Sequence, residues 1–444
     1  MNTPATDPGS GSHPRDAVVT GMGFCLPGEE QPVFTAGDLW DITSRGATCL
    51  DHDGIYYGSV NLTDDMFNER LPHIPPFFSA HYTNAHRYGL VSLTEACTDA
   101  QLDIHNGDLN HAAILVGRGG IDANINSYLS VLNADPHTTT AAQAMELFVA
   151  AEQAITPSDV ALVQGALTQT NGPCYTLSCG CASSALQIGH ARTMIRDGEA
   201  DIVAVTGVDV FNINLIQNIQ NLLHGAQHTY NTIRTTDMPT LLPSFNTLMR
   251  PYDQHATCIN HGEGSATLIL ESRQHATQRG AHPYGQVLNQ TTTRDGLANP
   301  LASDHTGKEL VNAIRRCLRN HDITHIPYIH GASDGNPTVT QFEANAITTL
   351  YGPTPHNLLM TSHEGTFGHN GAPAGCISTA LTLLMMQQQQ ICPTTNCQQP
   401  ATNLPFDPVP GTHTRPLTFH HALTLNYQIG GLKSATHLTN NHPT

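Results

Sequence analysis

Alternating β-prone runs and helical patterns predict an α/β protein. Three observations carry this: short apolar runs ending in glycine, helical periodicity between them, and a closing hairpin. Ala17 to Gly21 reads as a first strand, since a brief β-branched run bounded by a turn residue suits a strand buried on both faces. Ala112 to Gly117 reads as a second, Asp201 to Gly207 as a third, and Ser265 to Leu270 as the strand that opens a second half. Helical stretches over Leu310 to Arg319 and Ala374 to Met386 alternate with strands at Tyr328-Ile329 and Leu358-Leu359-Met360. The chain closes on a hairpin, Ala422 to Tyr427 and Lys433 to Leu438, turning at Gly430-Gly431. Gln387 to Gln390 and the Pro/Thr/Asn-rich stretch to Pro410 read as a surface loop. No short repeat is visible, which excludes solenoids and propellers.

With 444 residues and 39% hydrophobic content, the chain can bury a large core, and length alone suggests two or three domains. No apolar run approaches the roughly 18 residues of a membrane span; Cys376 to Met386 is among the longest. Residues 1–16 are polar and rich in Pro, Gly and Ser, without a signal pattern, and read as a disordered lead-in. A cytoplasmic location follows. Eleven cysteines at irregular spacing argue for reduced thiols rather than a disulfide framework.

Charged residues make up only 12% of the chain, with two lysines (Lys308 and Lys433) and a formal net charge of −18. That balance excludes nucleic acid as a partner, because phosphate binding needs clustered basic charge. The 27 histidines read mostly as solvated surface residues that offset part of the negative charge below about pH 6.5.

Chemistry concentrates at Cys181. In Cys174 to Ser184 a β-prone run meets a cluster of small residues, and a helical pattern follows through Ala185, Leu186, Ile188, Ala191, Met194 and Ile195. A thiol in the first turn of a helix after a strand projects from a tight bend. The helix N-terminus there favours a thiolate and offers free N–H groups to an oxyanion. Cys174 and Cys179 lack a second ligand cluster at zinc-type spacing, so no metal is expected.

Five motifs occur in order. Gly180-Cys181-Ala182-Ser183 precedes Gly198-Glu199-Ala200-Asp201; Met249 to Asp253 precedes Gly262-Glu263-Gly264; Ile329-His330-Gly331-Ala332 and Gly368-His369 with Ala372 to Gly375 complete the set. Together they resemble the β-ketoacyl-acyl-carrier-protein synthases, the ketosynthases of fatty-acid and polyketide assembly. The resemblance runs from Val18 to Ser434. It implies a thiolase-like fold of two similar βαβαβ-type halves, residues 17–260 and 261–444, in five layers, α-β-α-β-α. It also implies a dimer paired through the strand at Asp201 to Val210, an acyl carrier protein as partner, and no cofactor.

The implied reaction starts when the Cys181 thiolate accepts an acyl chain from a carrier thioester. Malonyl thioester then loses CO₂, and His330 and His369 donate N–H bonds to the enolate oxygen. The carbanion attacks the acyl group on Cys181. Backbone N–H groups of Cys181 and Ile429 would hold the second oxyanion, with Ile429 and Gly430 in the turn where the family carries Gly-Phe-Gly-Gly and gates its acyl pocket.

Departures from the family pattern matter as much. Glu364 stands where the family has Lys, Thr340 where an Asp is expected near Glu343, and the loop Ala332 to Asn336 after His330 is two residues longer than the family pattern. A carboxylate in place of a cation would raise nearby histidine pKa values. These changes, with the acidic balance, keep three readings open: an active ketosynthase, a chain-length-factor-like subunit of a heterodimer, and an acyltransferase that does not decarboxylate. Thiolase is disfavoured because no second Cys lies in Asn426 to Ser434, and the synthase-III branch because His369 stands where it uses Asn. Glu263 and Glu343 read as buried structural carboxylates, His363 as a surface neighbour, Arg250 to Asp253 as a positioning loop, and Gly262 to Gly264 as a turn.

Overall fold

The computed structural model describes residues 13–119, 125–135, 137–155, 159–210, 246–353 and 357–440, with positions 213, 214, 217, 218 and 222. Ten strands form its main sheet: β1 (Ala17–Cys25), β2 (Ala113–Arg118), β3 (Cys174–Leu177), β4 (Ile202–Asp209), β5 (Gly264–Ser272), β6 (Gly285–Arg294), β7 (Tyr328–His330), β8 (Leu359–Thr361), β9 (His421–Gln428) and β10 (Leu432–Thr439). The first five run β1-β5-β4-β2-β3 and the second five run β6-β10-β9-β7-β8. Pairing directions also repeat: β5 is antiparallel to both β1 and β4 while β2 is parallel to β4 and β3, and β10, β6, β9, β7 and β8 follow suit. The chain therefore folds as two copies of one topology. They meet where Val18 and Val19 face Gln286 and Gly285.

Helices complete five layers. α1 (Asn84–Ala100) and α4 (Asp159–Thr168) cover the outside of the first sheet, and α6 (Lys308–Leu318), backed by α7 (Pro337–Tyr351), covers the second. Between them lie α5 (Ser183–Asp197), against β2, β4 and β6, and α9 (Ala374–Gln388), against β9, β5 and β4. Layering explains the sequence patterns. β1, β4 and β5 are buried at every position, so they read as continuous apolar runs rather than alternating ones. Every residue of α9 from Ala374 to Met386 is buried, the signature of a helix enclosed on all sides. Each enclosed Leu, Ile or Val stabilises the fold by roughly 1.5–3 kcal/mol. Among the described residues no helix is long and apolar enough to cross a membrane.

Four expectations are corrected. The strand at Ser265 to Leu270 does not open the second half: β5 lies between β1 and β4, so the duplication divides between Ser272 and Gly285 and not at 260/261. Nor can the strand at Asp201 to Val210 pair with a second chain, because β4 is hydrogen-bonded on both sides. Among the described residues the edge strand of the first sheet is β3. The lead-in expected over residues 1–16 ends sooner: residues 1–12 lie outside the described residues, but Gln274 and Arg273 donate backbone bonds to Pro14 and Asp16. Finally, the stretch after Gln390 is no surface loop. Ile391 to Thr395 is buried, with the Thr394 N–H donated to Val409.

Candidate active site

Duplication brings the chemistry together. Cys181 lies between β3 and α5, and His369 lies between β8 and α9, just after the single turn α8 (Glu364–Phe367), the equivalent position of the second half. α5 and α9 both run in the central layer, so their N-terminal turns meet. They meet closely: a Cβ on Gly375 would lie 2.3 Å from the Ala185 nitrogen, and Ser184 Oγ accepts the Cys376 N–H at 3.1 Å. The small residues of Ala372 to Gly375 make that approach possible.

Gly180 turns the chain after β3 with φ +51°, and a side chain there would meet Gln428 Cγ at 3.0 Å. Cys181 follows in a single 3₁₀ turn, Gly180–Ala182. Ser183 Oγ braces this turn by accepting the Cys179 N–H at 2.8 Å. Cys181 is thus thrust from a strand–turn–helix junction, as expected.

Cys181 Sγ lies 2.8 Å from His369 Nε2, and His369 Nδ1 lies 3.0 Å from Glu364 Oε2. Burial opposes charge on His369, but negative charge on Cys181 and Glu364 outweighs it and raises the imidazole well above its ordinary range. Glu364 moves against this pairing: burial raises its carboxyl although His369 draws it down. Geometry decides between them. Nδ1–H faces the carboxylate and leaves Nε2 to take the thiol proton, a nucleophile–base–orienter line. The rise expected from a carboxylate in place of Lys occurs at His369.

His330 behaves differently. It is fully buried, and burial pushes its ring down to about 3. Nδ1 lies 3.0 Å from the Tyr328 hydroxyl and Nε2 lies 2.9 Å from His363 Nδ1, so both ring nitrogens are occupied. His363 is therefore no surface neighbour; it is 3% exposed. His261 also approaches, its ring centroid 6.3 Å from that of His369. Most described histidines are exposed or half-buried, as expected; the exceptions are His330 and His363 here, and His86 and His437 elsewhere.

Glu343 is a brace. It accepts bonds from Tyr252 Oη (2.8 Å), Tyr427 Oη (2.9 Å) and the Ala332 N–H (2.9 Å), and burial raises its carboxyl to about 7. Tyr252 belongs to the loop expected to position other groups. Asp253 of that loop receives the N–H groups of Gln398 and Gln399. Glu263 similarly accepts from Val60 N and Tyr88 Oη, each at 2.9 Å. Among the described residues the Thr340 hydroxyl meets Ser333 Oγ at 3.0 Å, steadying the long loop after His330 rather than joining the histidines. Ile429 is 53% exposed, so its side chain does not fill a closed acyl pocket; it sits in the turn with Gly430 (φ +88°), beside Gln428 and the nucleophile turn. Among the described residues no three His, Cys, Asp or Glu side chains group to hold a metal.

The family model described as β-ketoacyl synthase, N-terminal domain, matches residues 15–276, and that of the C-terminal domain matches residues 284–398. The chain belongs to the β-ketoacyl synthase family. Such enzymes are acyltransferases that join carbon chains by Claisen condensation. The chain is 26% identical over 434 residues to the tetracenomycin polyketide synthase ketoacyl synthase alpha subunit of Streptomyces glaucescens, covering 94% of this chain and 95% of that one. Among solved structures it resembles the ishigamide ketosynthase/chain length factor (TM-score 0.77, 20% identity, 96% of this chain and all of that one). It also resembles a type II PKS acyl-carrier protein in complex with its ketosynthase bound to the hexaketide (TM-score 0.75, 20% identity, 97% of this chain and all of that one).

In this β-ketoacyl synthase the boundary between the two family models, near residue 280, coincides with the structural one. Sequence reasoning gave Tyr328 no role beyond its strand and read His363 as a surface neighbour. Tyr328 precedes His330 by two in a strand, which places both on one face. His363 adjoins Glu364, and that spacing was the available signal.

Proposed function

We propose that this β-ketoacyl synthase loads an acyl chain onto Cys181 and condenses it with malonyl carrier protein. The 2.8 Å contact between Cys181 Sγ and His369 Nε2 carries the reading. The thiol proton passes to Nε2, and the thiolate attacks the acyl thioester. The departing carrier thiol recovers that proton. Malonyl thioester then loses CO₂, the freed electron pair forms an enolate, and its carbon attacks the acyl carbonyl, breaking the bond to Cys181. Glu364 holds the imidazole in the required tautomer throughout. Eleven free cysteines support a cytoplasmic setting.

A second ketosynthase-like chain fits the edge of β3. Around that edge α2 (Ile125–Leu132), α3 (Ala141–Ile155) and α4 lie side by side, and they expose Leu132, Met145, Phe148 and Leu162, with Tyr175 on the strand itself. An open strand edge flanked by apolar side chains is a surface that natural proteins cover. One observation favours a related but different partner. Arg192, Arg196 and Arg319 lie close enough to repel one another, yet Arg192 and Arg196 sit toward the far end of α5, about 20 Å from Cys181. A docking face for an acidic carrier would then come from the other chain.

The test combines three measurements on purified protein: intact mass after exposure to acyl carrier, CO₂ release from malonyl carrier, and condensed product, each with and without a co-purifying subunit. An adduct with CO₂ release and product supports the synthase. An adduct without CO₂ release would instead indicate an acyltransferase, and no adduct would defeat the reading.

A further inference from the structure

One of the chain's two lysines, Lys433, is fully enclosed. It stands just after the Gly430-Gly431 turn, at the start of β10, and its Nζ lies 3.2 Å from Asp295 Oδ2 on a side chain that is 1% exposed. Phe342 and Tyr427 wall the ammonium in, with ring centroids 3.8 and 5.4 Å away. Burial opposes both charges, lowering the Lys433 ammonium and raising the Asp295 carboxyl, while each partner works the other way. Exchanging such a pair for apolar groups commonly leaves a fold as stable or more so. Its use then lies in the geometry it fixes.

That geometry belongs to the turn. Gly430 and Gly431 (φ +88° and +90°) bring no side chains to hold it, and Ile429 is half in solvent. Asp295 supplies the hold. Its N–H is donated to the Gly431 carbonyl at 3.0 Å, and its Oδ2 accepts the Asp304 N–H at 2.8 Å as well as facing Lys433. A Cβ on Gly431 would lie 2.7 Å from that same oxygen, and one on Gly430 would lie 2.4 Å from the Pro300 carbonyl oxygen. Segment 295–304 therefore packs against the turn, and Lys433, two residues beyond Gly431, clamps it there. On its other side the turn meets the nucleophile: Gln428 packs against Gly180 so closely that a Cβ there would touch its Cγ at 3.0 Å. Among the described residues the Ile429 N–H takes no hydrogen bond, so it is open to a reactant.

We propose that the Lys433–Asp295 pair is a positioning device for acyl transfer, holding the turn so that the Ile429 N–H faces the carbonyl oxygen of an acyl group arriving at Cys181. This rests on the ketosynthase reading. When the thiolate adds to the thioester carbon, the C=O electron pair moves onto oxygen, and the N–H holds that oxyanion. The electron pair returns as the carrier thiolate leaves, and Ile429 keeps its proton. Lys433 and Asp295 touch neither reactant.

Two reactions of Cys181 separate this role from a structural one. Alkylation by iodoacetamide needs only the thiolate, because displacement at a CH₂ group builds no oxyanion. Acylation by octanoyl-pantetheine thioester needs both the thiolate and the oxyanion donors. Lys433→Met, Asp295→Asn and the double variant should alkylate within about threefold of wild type, yet acylate slower by about 10-fold or more. The double variant is decisive. It leaves no buried charge unpaired, and Asn keeps an acceptor for the Asp304 N–H, so its thermal midpoint should return close to wild type while acylation stays slow. Normal acylation by the double variant overturns the proposal. So does an equal loss of alkylation, or failure of the double variant to fold, either of which would make the pair structural. Wild type that alkylates but does not acylate would count against the ketosynthase reading instead.

Discussion

Glu364 Oε2 meets His369 Nδ1 at 3.0 Å from five residues upstream in the same chain segment. A negative group against the imidazole favours its protonated form, and with it proton transfer from Cys181. Glu364→Gln keeps an acceptor but removes the charge, so the His369 pKa falls. Alkylation of Cys181 by iodoacetamide at neutral pH should slow by about 10-fold, and the upper limb of the imidazolium-dependent profile should move to lower pH. An unchanged pH profile would remove Glu364 from the site.

Cys181→Ala should abolish the acyl adduct formed from carrier thioester. Peptide mapping provides the check. Neighbouring Cys174 and Cys179 have their thiols raised by burial, so neither is an alternative nucleophile. An adduct mapping to one of them would overturn the assignment of Cys181.

Glu343 makes stability depend on pH. Burial raises its carboxyl to about 7, so between its ordinary value and about 7 the folded protein holds a proton that the unfolded chain has released. Stability is greatest below that window and declines as pH rises through it, by on the order of 3 kcal/mol. Glu343→Gln should flatten the change. Urea midpoints at pH 5 and pH 8 for both proteins test this; equal pH dependence in the two would show that Glu343 does not titrate there.

Gly375→Ala should open the contact between the central helices. The added methyl would lie 2.3 Å from the Ala185 nitrogen and 2.7 Å from Ser184 Oγ. Overpacking of this kind costs about 1–3 kcal/mol, and the shift would also move His369 away from Cys181. Thermal unfolding and Cys181 alkylation should both suffer. A variant as stable and reactive as wild type would mean that the helices separate without consequence.

Phe148→Asp and Leu162→Asp should weaken self-association or subunit capture while leaving the core intact. Sedimentation reads this directly: the native complex should exceed the 47.7 kDa of one chain, and the variants should return towards it. Association unaffected by both charges would place the interface elsewhere.

The sequence alone determined the α/β class, the strand–turn–helix around Cys181 and the motif order that identified the family. These are local or ordered features: apolar runs mark enclosed strands, and Gly180 before Cys181 marks the turn. It could not assign β5 to a half, because a buried strand reads the same in either sheet; only its hydrogen bonds to β1 and β4 decided that. The edge strand was hidden for a different reason: β3 is short and partly exposed, less conspicuous than the fully buried β4. Above all, tertiary structure decided which histidine nitrogens are free. His330 and His363 lie 33 residues apart, and adjacent parallel strands bring them together so that one ring occupies the nitrogen of the other. A motif names the residue types at a site. Hydrogen bonds from distant segments decide which atoms remain to do chemistry.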